Sequence, residues 1–483
     1  MTASHVRTDE RSLRRASDLP PIGNTRQLLD HGLPGLRKLV LDVVASGIRA
    51  ASPAAAVDRL VELRGNVLHA GGHRFDLGAM RSVVVLGAGK ASLSIAGALE
   101  AKLGDRIAGG LVVCRRGAAG VLPHVEVVEA DHPVPSRASL AAGRRLIEAA
   151  GAVRPGDLVI TAFTGGSSAL ACAPPDGLSF ESKQRLHSLL LASGAPIAEV
   201  NAVRKHVSAL KGGRLAAQMQ GATLLNLTVA DVPGGFVDLM CDPVVQDTSD
   251  VAGAIAVLKQ YGLWKDVGPE IWRHLDSPLA RSPILDGHGA ITTVVLISGA
   301  EVVAEMAARA RALGCEPVVL GSTFEGEAVH LGGLLGALAQ ESSLRGAPFR
   351  PGSLLVAAGG ESTVTLPRHG APAGPGGPNQ ELALGFARAI GRGRAEVAGV
   401  FVDSDGSDGG TEAAGACADS LSAERAAECG LDLRAAAVEH DSYAALQRLG
   451  DLVITGPTGT NVADLWTIAI GAAPPQAGGA GGP

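Results

Sequence analysis

Apolar runs of strand length alternate with longer stretches of helical periodicity along most of the chain. Ser82–Leu86 reads as a buried strand, and Ala91–Leu103 as the helix that follows it. Leu158–Thr161 repeats the strand pattern and Phe180–Ser193 the helical one. Further short apolar runs lie at Leu224–Val229, Val294–Ile297, Pro317–Leu320, Leu354–Ala357 and Val397–Val402. This alternation predicts βαβ units and mostly parallel sheets. Several of the runs end in clusters of Gly, Ser or Asp. In parallel sheets, ligands bind outside the carboxyl ends of the strands, where these clusters fall.

A chain of 483 residues is long enough for two or three domains with substantial cores. The Pro- and Gly-rich segment from His369 to Pro378 interrupts the alternation and reads as a loop. The domain change is expected between about residues 270 and 350. Residues 1 to about 30 are polar and charged and read as a mobile arm, and 471–483 (GAAPPQAGGAGGP) as a disordered tail.

Composition narrows the function class. Aromatic residues are only 3%, so the cores must be built from Leu, Val, Ala and Ile. A formal charge of −6 argues against a nucleic-acid footprint, which is basic and clustered. No stretch approaches the roughly 18 apolar residues of a membrane span, and the N-terminus lacks the apolar core of a signal peptide. Six cysteines without a CxxC pair read as thiols in a reducing compartment, so a cytoplasmic protein is expected.

Seven motifs could carry chemistry. VVVLGAGKAS (83–92) is a strand, a glycine turn and a helix start, in which Gly87 and Gly89 would let backbone N–H groups face an anion. Lys90, just after the turn, would neutralise phosphate or carboxylate; the competing reading is a structural turn with a surface lysine. LVITAFTGGSSAL (158–170) offers a second anion cradle at Gly165, Gly166, Ser167 and Ser168, or else a loop that satisfies its own backbone. NAVRKHVSALKGGRLA (201–216) places Arg204, Ser208 and Lys211 on one helical face, with Arg214 beyond Gly212 and Gly213. Four cations in this segment of an acidic protein point to an anion site, against the alternative of a solvated face. Asp231 in TVADVPGG follows a strand, as a metal ligand or base, or as a turn former. Glu361 lies in GGEST, and Asp405 and Asp408 in DSDGSDGG could hold a divalent cation or form an acidic turn. GDLVITGPTGTNVADL (450–465) brings Thr458 and Asn461 into a rigid turn ahead of an apolar stretch read as helix.

Taken in order, GAGKAS, DHPVPS (131–136), NAVRKHVSALKGGRLA, ADVPG, GGESTVT, GGPNQELAL (376–384, with Asn379), DGSDGGTEAAGA and GDLVITGPTGTNVADL resemble the glycerate 2-kinase family, with its DUF4147 and MOFRL domains. The likeness runs from about residue 35 to 470. It implies an α/β fold in two domains: a Rossmann-like parallel sheet with helices on both faces over 31–275, a connecting α/β segment over 276–350, and a smaller α/β domain over 351–470. It implies transfer of the ATP γ-phosphoryl group to the hydroxyl of glycerate, with Mg²⁺. Lys90, Arg204 and Asp231 would be catalytic, and Asp405 and Asp408 metal ligands. Gly87, Gly89, the 165–168 loop, Lys211, Arg214, Glu361, Asn379, Thr458 and Asn461 would bind substrate or nucleotide. The partners implied are ATP and a small hydroxy acid, with no nucleic acid or membrane; a homodimer is left open.

The chain also departs from the family pattern. Pro378 stands where the family block reads Gly-Gly-Arg, Gly235 and Phe236 follow DVPG in place of acidic residues, and GGGS has become GGSS at 165–168. Cys241–Asp242–Pro243–Val244 replaces a Ser-Gly-Pro-Thr loop. Loss of one charged transition-state contact costs ~10²- to 10³-fold in rate. The alternative reading is therefore a divergent member that keeps the scaffold for ligand binding or another reaction. A hydroxypyruvate reductase is a third reading, opposed by Ser92 in place of the third glycine of the dinucleotide fingerprint.

Overall fold

The computed structural model describes residues 21–118, 120–230, 233–286, 290–360, 362–366, 373–391, 395–462 and 464–472. All seven apolar runs named above become strands. In chain order the strands are β1 (Val61–Arg64), β2 (Val67–Ala70), β3 (His73–Asp76), β4 (Val83–Ala88), β5 (Ile107–Arg115), β6 (Glu126–Ala130), β7 (Leu158–Phe163) and β8 (Thr223–Val229). They continue with β9 (Ile291–Ile297), β10 (Glu316–Phe324), β11 (Ser353–Gly359), β12 (Val397–Asp403), β13 (Gly415–Asp419), β14 (Leu452–Val453) and β15 (Asp464–Ile470).

The first large sheet has the order β6-β5-β4-β7-β8-β9, and every pair in it is parallel. The chain starts at β4, moves outward to β6, and returns to the other side of β4 with β7. Strand order therefore reverses between β4 and β7. Connections leave those two strands toward opposite faces, which opens a crevice at their carboxyl ends. This is the Rossmann-like domain expected from the sequence. A small antiparallel sheet, β1-β2-β3, sits beside it.

The second large sheet, β10-β11-β15-β12-β13-β14, is mixed. Only β10 and β11 run parallel; β15 enters between β11 and β12 and runs against both. The expectation of mostly parallel strands thus holds for the first sheet and not for the second. The stretch after Asn461, expected as helix, is β15. Its residues are buried throughout, so no alternation marked it as a strand.

Two further boundaries differ from expectation. The 276–350 segment is divided: β9 closes the first sheet, helix Gly299–Ala312 crosses over, and β10 opens the second. Residues 21–30, placed in the mobile arm, carry helix Thr25–Leu29 with Leu28 fully buried. Gly23 N–H donates to the Ile454 carbonyl (2.7 Å) and Asn24 Nδ2 to that of Leu452 (2.8 Å), so the described chain begins against the second sheet. Residues 473–483 of the expected tail and 1–20 of the arm lie outside the described residues.

Helix Pro34–Ala50 follows the same path. Its buried Arg37 pairs with Asp419 and, at 2.8 Å, with Asp451, both on the second domain. Val40 and Val44 join Met306, Leu354, Val356 and Leu465 in an apolar cluster that continues to Val85 and Ile160 of the first sheet. Burial at about 25 cal/mol per Å² of apolar surface makes such a shared core the main force joining the sheets. Among the described residues, no single helix is long and apolar enough to cross a membrane.

Candidate active site

β4 ends in Gly87-Ala88, and the chain turns through Gly89 into helix Ser92–Leu103. A Cβ on Gly87 would lie 2.6 Å from the carbonyl oxygen of Ala162 on β7. On Gly89, at φ +143°, it would lie 2.1 Å from Thr164 Oγ1. These glycines let the ends of two adjacent strands approach each other. The turn's donors are spent on the protein: Gly89 N–H on Val113 O (3.1 Å), Lys90 N–H on Gly165 O (2.9 Å) and Ala91 N–H on Thr164 Oγ1 (3.2 Å). The anion cradle expected at Gly87 and Gly89 is therefore corrected to a packing turn. What it presents to the crevice is the side chain of Lys90.

The loop after β7 turns at Gly166. Gly166 adopts φ +81°, which a side chain would resist, and the short helix Ser167–Leu170 begins there. Among the described residues, the N–H groups of Gly165, Gly166 and Ser168 have no protein acceptor. All four loop residues, with Lys90, line a cavity of about 640 Å³ between the two sheets. His132, Asn201, Arg204 and Asp242 complete the wall on the first domain's side. Ser362, Pro378, Glu381, Asp403, Asp408, His440, Asn461 and Asp464 line the opposite wall.

Lys90 spans the two sides. Its ammonium forms an ion pair with Asp405, beyond β12, and both side chains are nearly buried. His132 stands beside them; burial, then the Lys90 charge, pushes its imidazole down to about 3, so it is neutral at ordinary pH.

The cationic segment is only partly helical. Helix Ile197–His206 stops where Ser208 Oγ begins to accept from the N–H groups of Leu210 and Lys211 (3.2 Å each). Arg204 nevertheless lines the cavity, and Lys211 comes up behind it to donate to Ser167 Oγ (2.6 Å). Arg214 does not reach the site. Its guanidinium donates to the carbonyls of Lys205, Lys211, Ala280 and Arg281 at 2.8–3.1 Å, and so clamps a loop instead of offering charge to a ligand.

Asn379 is also structural. It is buried, donates through Nδ2 to Asp464 (2.7 Å) and Asp408, and accepts from Trp466 Nε1 (3.2 Å). Thr458 Oγ1 donates to the Ser404 carbonyl (2.6 Å) and lies outside the cavity wall, whereas Asn461 is on it. Asp231 and Glu361 lie outside the described residues.

Asp405 and Asp408 do not fit the expected pair of Mg²⁺ ligands. Asp405 is committed to Lys90 and accepts from Ser407 N–H (2.7 Å). Asp408 accepts from the N–H groups of Asn379 (3.1 Å) and Gln380 (2.9 Å) at the start of helix Pro378–Ile390. Burial, then Asp464, pushes its carboxyl up to about 8, against the pull of those donors. No group of three or more His, Cys, Asp or Glu suited to a metal occurs among the described residues.

Several wall residues escaped the sequence reading. His132 lay in the DHPVPS block without a role. His440 donates through Nδ1 to Glu381 (2.7 Å), 59 positions away, and adopts φ +52°. Pro378 occupies the first turn of its helix, where a missing N–H costs nothing.

Comparison with known proteins agrees with this architecture. Residues 39–276 match the model of a domain of unknown function, DUF4147, and residues 354–464 that of the MOFRL family. The chain is 34% identical over 431 residues to the glycerate 2-kinase of Pyrococcus horikoshii, covering 88% of this chain and 96% of that protein. It is 38% identical to a putative hydroxypyruvate reductase of Agrobacterium vitis, over 80% of this chain and 87% of that one. The crystal structure of glycerate kinase from Thermotoga maritima is similar at a TM-score of 0.71 and 32% identity, covering 90% of this chain and 99% of that one. The chain thus belongs to the glycerate kinase family of phosphotransferases, with DUF4147 and MOFRL domains.

Proposed function

We propose that this chain transfers the γ-phosphoryl group of ATP to a hydroxyl of glycerate or a related small hydroxy acid. The observation that carries the reading is the convergence of Lys90 and the open N–H groups of the 165–168 loop on one cavity at the strand-order reversal. Phosphoryl transfer asks a protein mainly for positioning and for charge that meets the phosphoryl oxygens. Lys90 supplies that charge, and the loop N–H groups receive phosphate oxygens. Arg204 and Lys211 provide cations for the acid, with Asn461 on the facing wall. As the acceptor oxygen bonds to the γ-phosphorus, the bond from that phosphorus to the bridging oxygen breaks and ADP leaves; the acceptor hydroxyl gives its proton to a carboxylate, for which Asp231, two residues after β8 in the sequence, is the proposed base. At about 640 Å³ the cavity is of ordinary size for a small-molecule site, which spans roughly 300–1,000 Å³. The free cysteines favour a cytoplasmic setting.

Pro378 favours a second reading, because it brings neither charge nor donor to the cavity wall. A coupled ATP-consumption assay over small hydroxy acids, with D-glycerate included and Lys90→Ala as control, separates the two. Lys90-dependent turnover is expected. Silence across the panel, with no ATP-induced rise in melting temperature, would favour a scaffold without kinase chemistry. NADH oxidation with hydroxypyruvate would instead revive the reductase.

A further inference from the structure

Helix Ile197–His206 draws one stripe along the cavity. Ile197, Val200, Asn201 and Arg204 all line it, at the spacing that keeps to a single helical face. The stripe changes character along its length. Arg204 borders a small hollow together with Ser168, so the charged end lies against the 165–168 loop. The other end is apolar: Leu191 and Ala195, from the turn before the helix, join Ile197 and Val200, while Val364 and Leu366 line the cavity from the second domain. Between Leu190 and Val200 no charged residue lines it.

Contact between the domains fixes the width of this apolar lobe. A Cβ on Gly194, at φ +71°, would lie 2.5 Å from Thr365 Oγ1, so the turn before the helix touches the residue next to Leu366. Thr365 is itself held, its N–H and Oγ1 both donating to the Glu327 carboxylate (2.9 Å each). Thr363 N–H donates to the Gly326 carbonyl, and its own carbonyl accepts from Ala328 N–H (2.9 Å each). Val364, between them, has neither its N–H nor its carbonyl paired among the described residues. Leu191 and Leu366, from the two domains, remain 46% and 36% exposed.

Seven residues at about 1.5 Å each separate Ile197 from Arg204, a rise of about 10 Å. A three-carbon acid seated at the charged end cannot span that length. A nucleoside triphosphate can, with its phosphates at the 165–168 loop and its ribose between the two ends. A nucleobase has apolar faces and a polar edge. The aliphatic side chains suit the faces, and Val364 offers one donor and one acceptor for the edge. Covering the two exposed leucines then removes apolar surface from water.

We infer that the apolar lobe is the nucleobase subsite, with the base of ATP lying between Leu191 and Leu366 and so touching both domains. The nucleotide as ligand rests on the kinase reading; the lobe itself does not.

Titration calorimetry of the full chain with ATP and with inorganic tripolyphosphate separates base from phosphates. The wild type is expected to bind ATP at least about 10-fold more tightly than tripolyphosphate. The double variant Leu191→Ser/Leu366→Ser, changed at two exposed positions, should lose about 10-fold in ATP affinity and nothing in tripolyphosphate affinity. Equal affinity for the two ligands in the wild type, or an ATP advantage intact in the folded double variant, overturns the inference. In turnover, KM for ATP should rise and KM for the acid should not. A rise confined to the acid would give the lobe to an apolar tail of the acid and count equally against it. Turnover of D-glycerate with KM for ATP unmoved by the double substitution would sink the lobe and keep the kinase reading. Leucine-dependent ATP binding without turnover on any acid would do the reverse.

Discussion

Lys90 and Asp405, carried by different sheets, join their charges across the cavity. The sequence assigned one to phosphate and the other to metal, and the fold gives each to the other. An entering phosphate must compete with Asp405 for the ammonium, and wins where it brings more negative charge. Lys90→Ala should lower turnover by ~10²- to 10³-fold, as loss of a transition-state charge does. It should also lower stability by up to about 3–5 kcal/mol, because Asp405 is left nearly buried without its cation. Steady-state kinetics with urea unfolding checks both, and an unaffected rate removes Lys90 from the mechanism.

Gly89 separates packing from phosphate binding. Gly89→Ala adds a methyl 2.1 Å from Thr164 Oγ1 at φ +143°, so about 2 kcal/mol or more of stability should be lost. Denaturant unfolding reads this directly. A variant of unchanged stability that no longer binds ATP would restore the cradle rejected above.

Arg37 ties the first long helix to the second domain through Asp419 and Asp451. Arg37→Met leaves two buried carboxylates short of their cation and should cost about 3–5 kcal/mol. Burial alone would raise the Asp451 carboxyl, but the hydrogen bond from His31 and the charges of Arg37 and Arg425 hold it below its ordinary 3.8. Its contribution is therefore complete above that value and is lost as pH falls through the lower native one. The wild type should lose stability over that acid range, and the variant less steeply.

Asp408 has the opposite sign. Its carboxyl is raised to about 8, so between 3.8 and that value the folded chain holds a proton the unfolded chain has released. Its stabilising effect is complete below the unfolded value and fades as pH rises toward the folded one, by at most about 1.4 kcal/mol per pH unit. Asp408→Asn should flatten the decline in stability between pH 5 and 8. Equal slopes in the two proteins would mean that the helix N–H donors keep Asp408 ionised.

Helix and strand positions were legible because burial period and turn chemistry act between near neighbours in the chain. The apolar runs at 82–86, 158–161 and 224–229 became adjacent parallel strands, and Lys90 and Gly165–Ser168 stand at their carboxyl ends as parallel-sheet topology requires. Arg204 and Lys211 also meet, although by a turn after His206 and not on a shared helical face. A run buried on both faces has no distinguishing period, which is why β15 read as helix.

By itself, then, the sequence determined the Rossmann-like first sheet, the family, and which glycine- and cation-bearing segments would surround a ligand. Only the tertiary structure decided which charges are available to it. Arg214 and Asn379 are taken up by carbonyls and carboxylates, Asp408 by a helix start, and Arg37 by an aspartate 382 positions away. Lys183 is spent on the Val207 carbonyl and Lys211 on Ser167 Oγ. A charged side chain looks alike in sequence whether it is spent or free, because its partner is chosen by packing between distant segments and by the cost of burying charge unpaired.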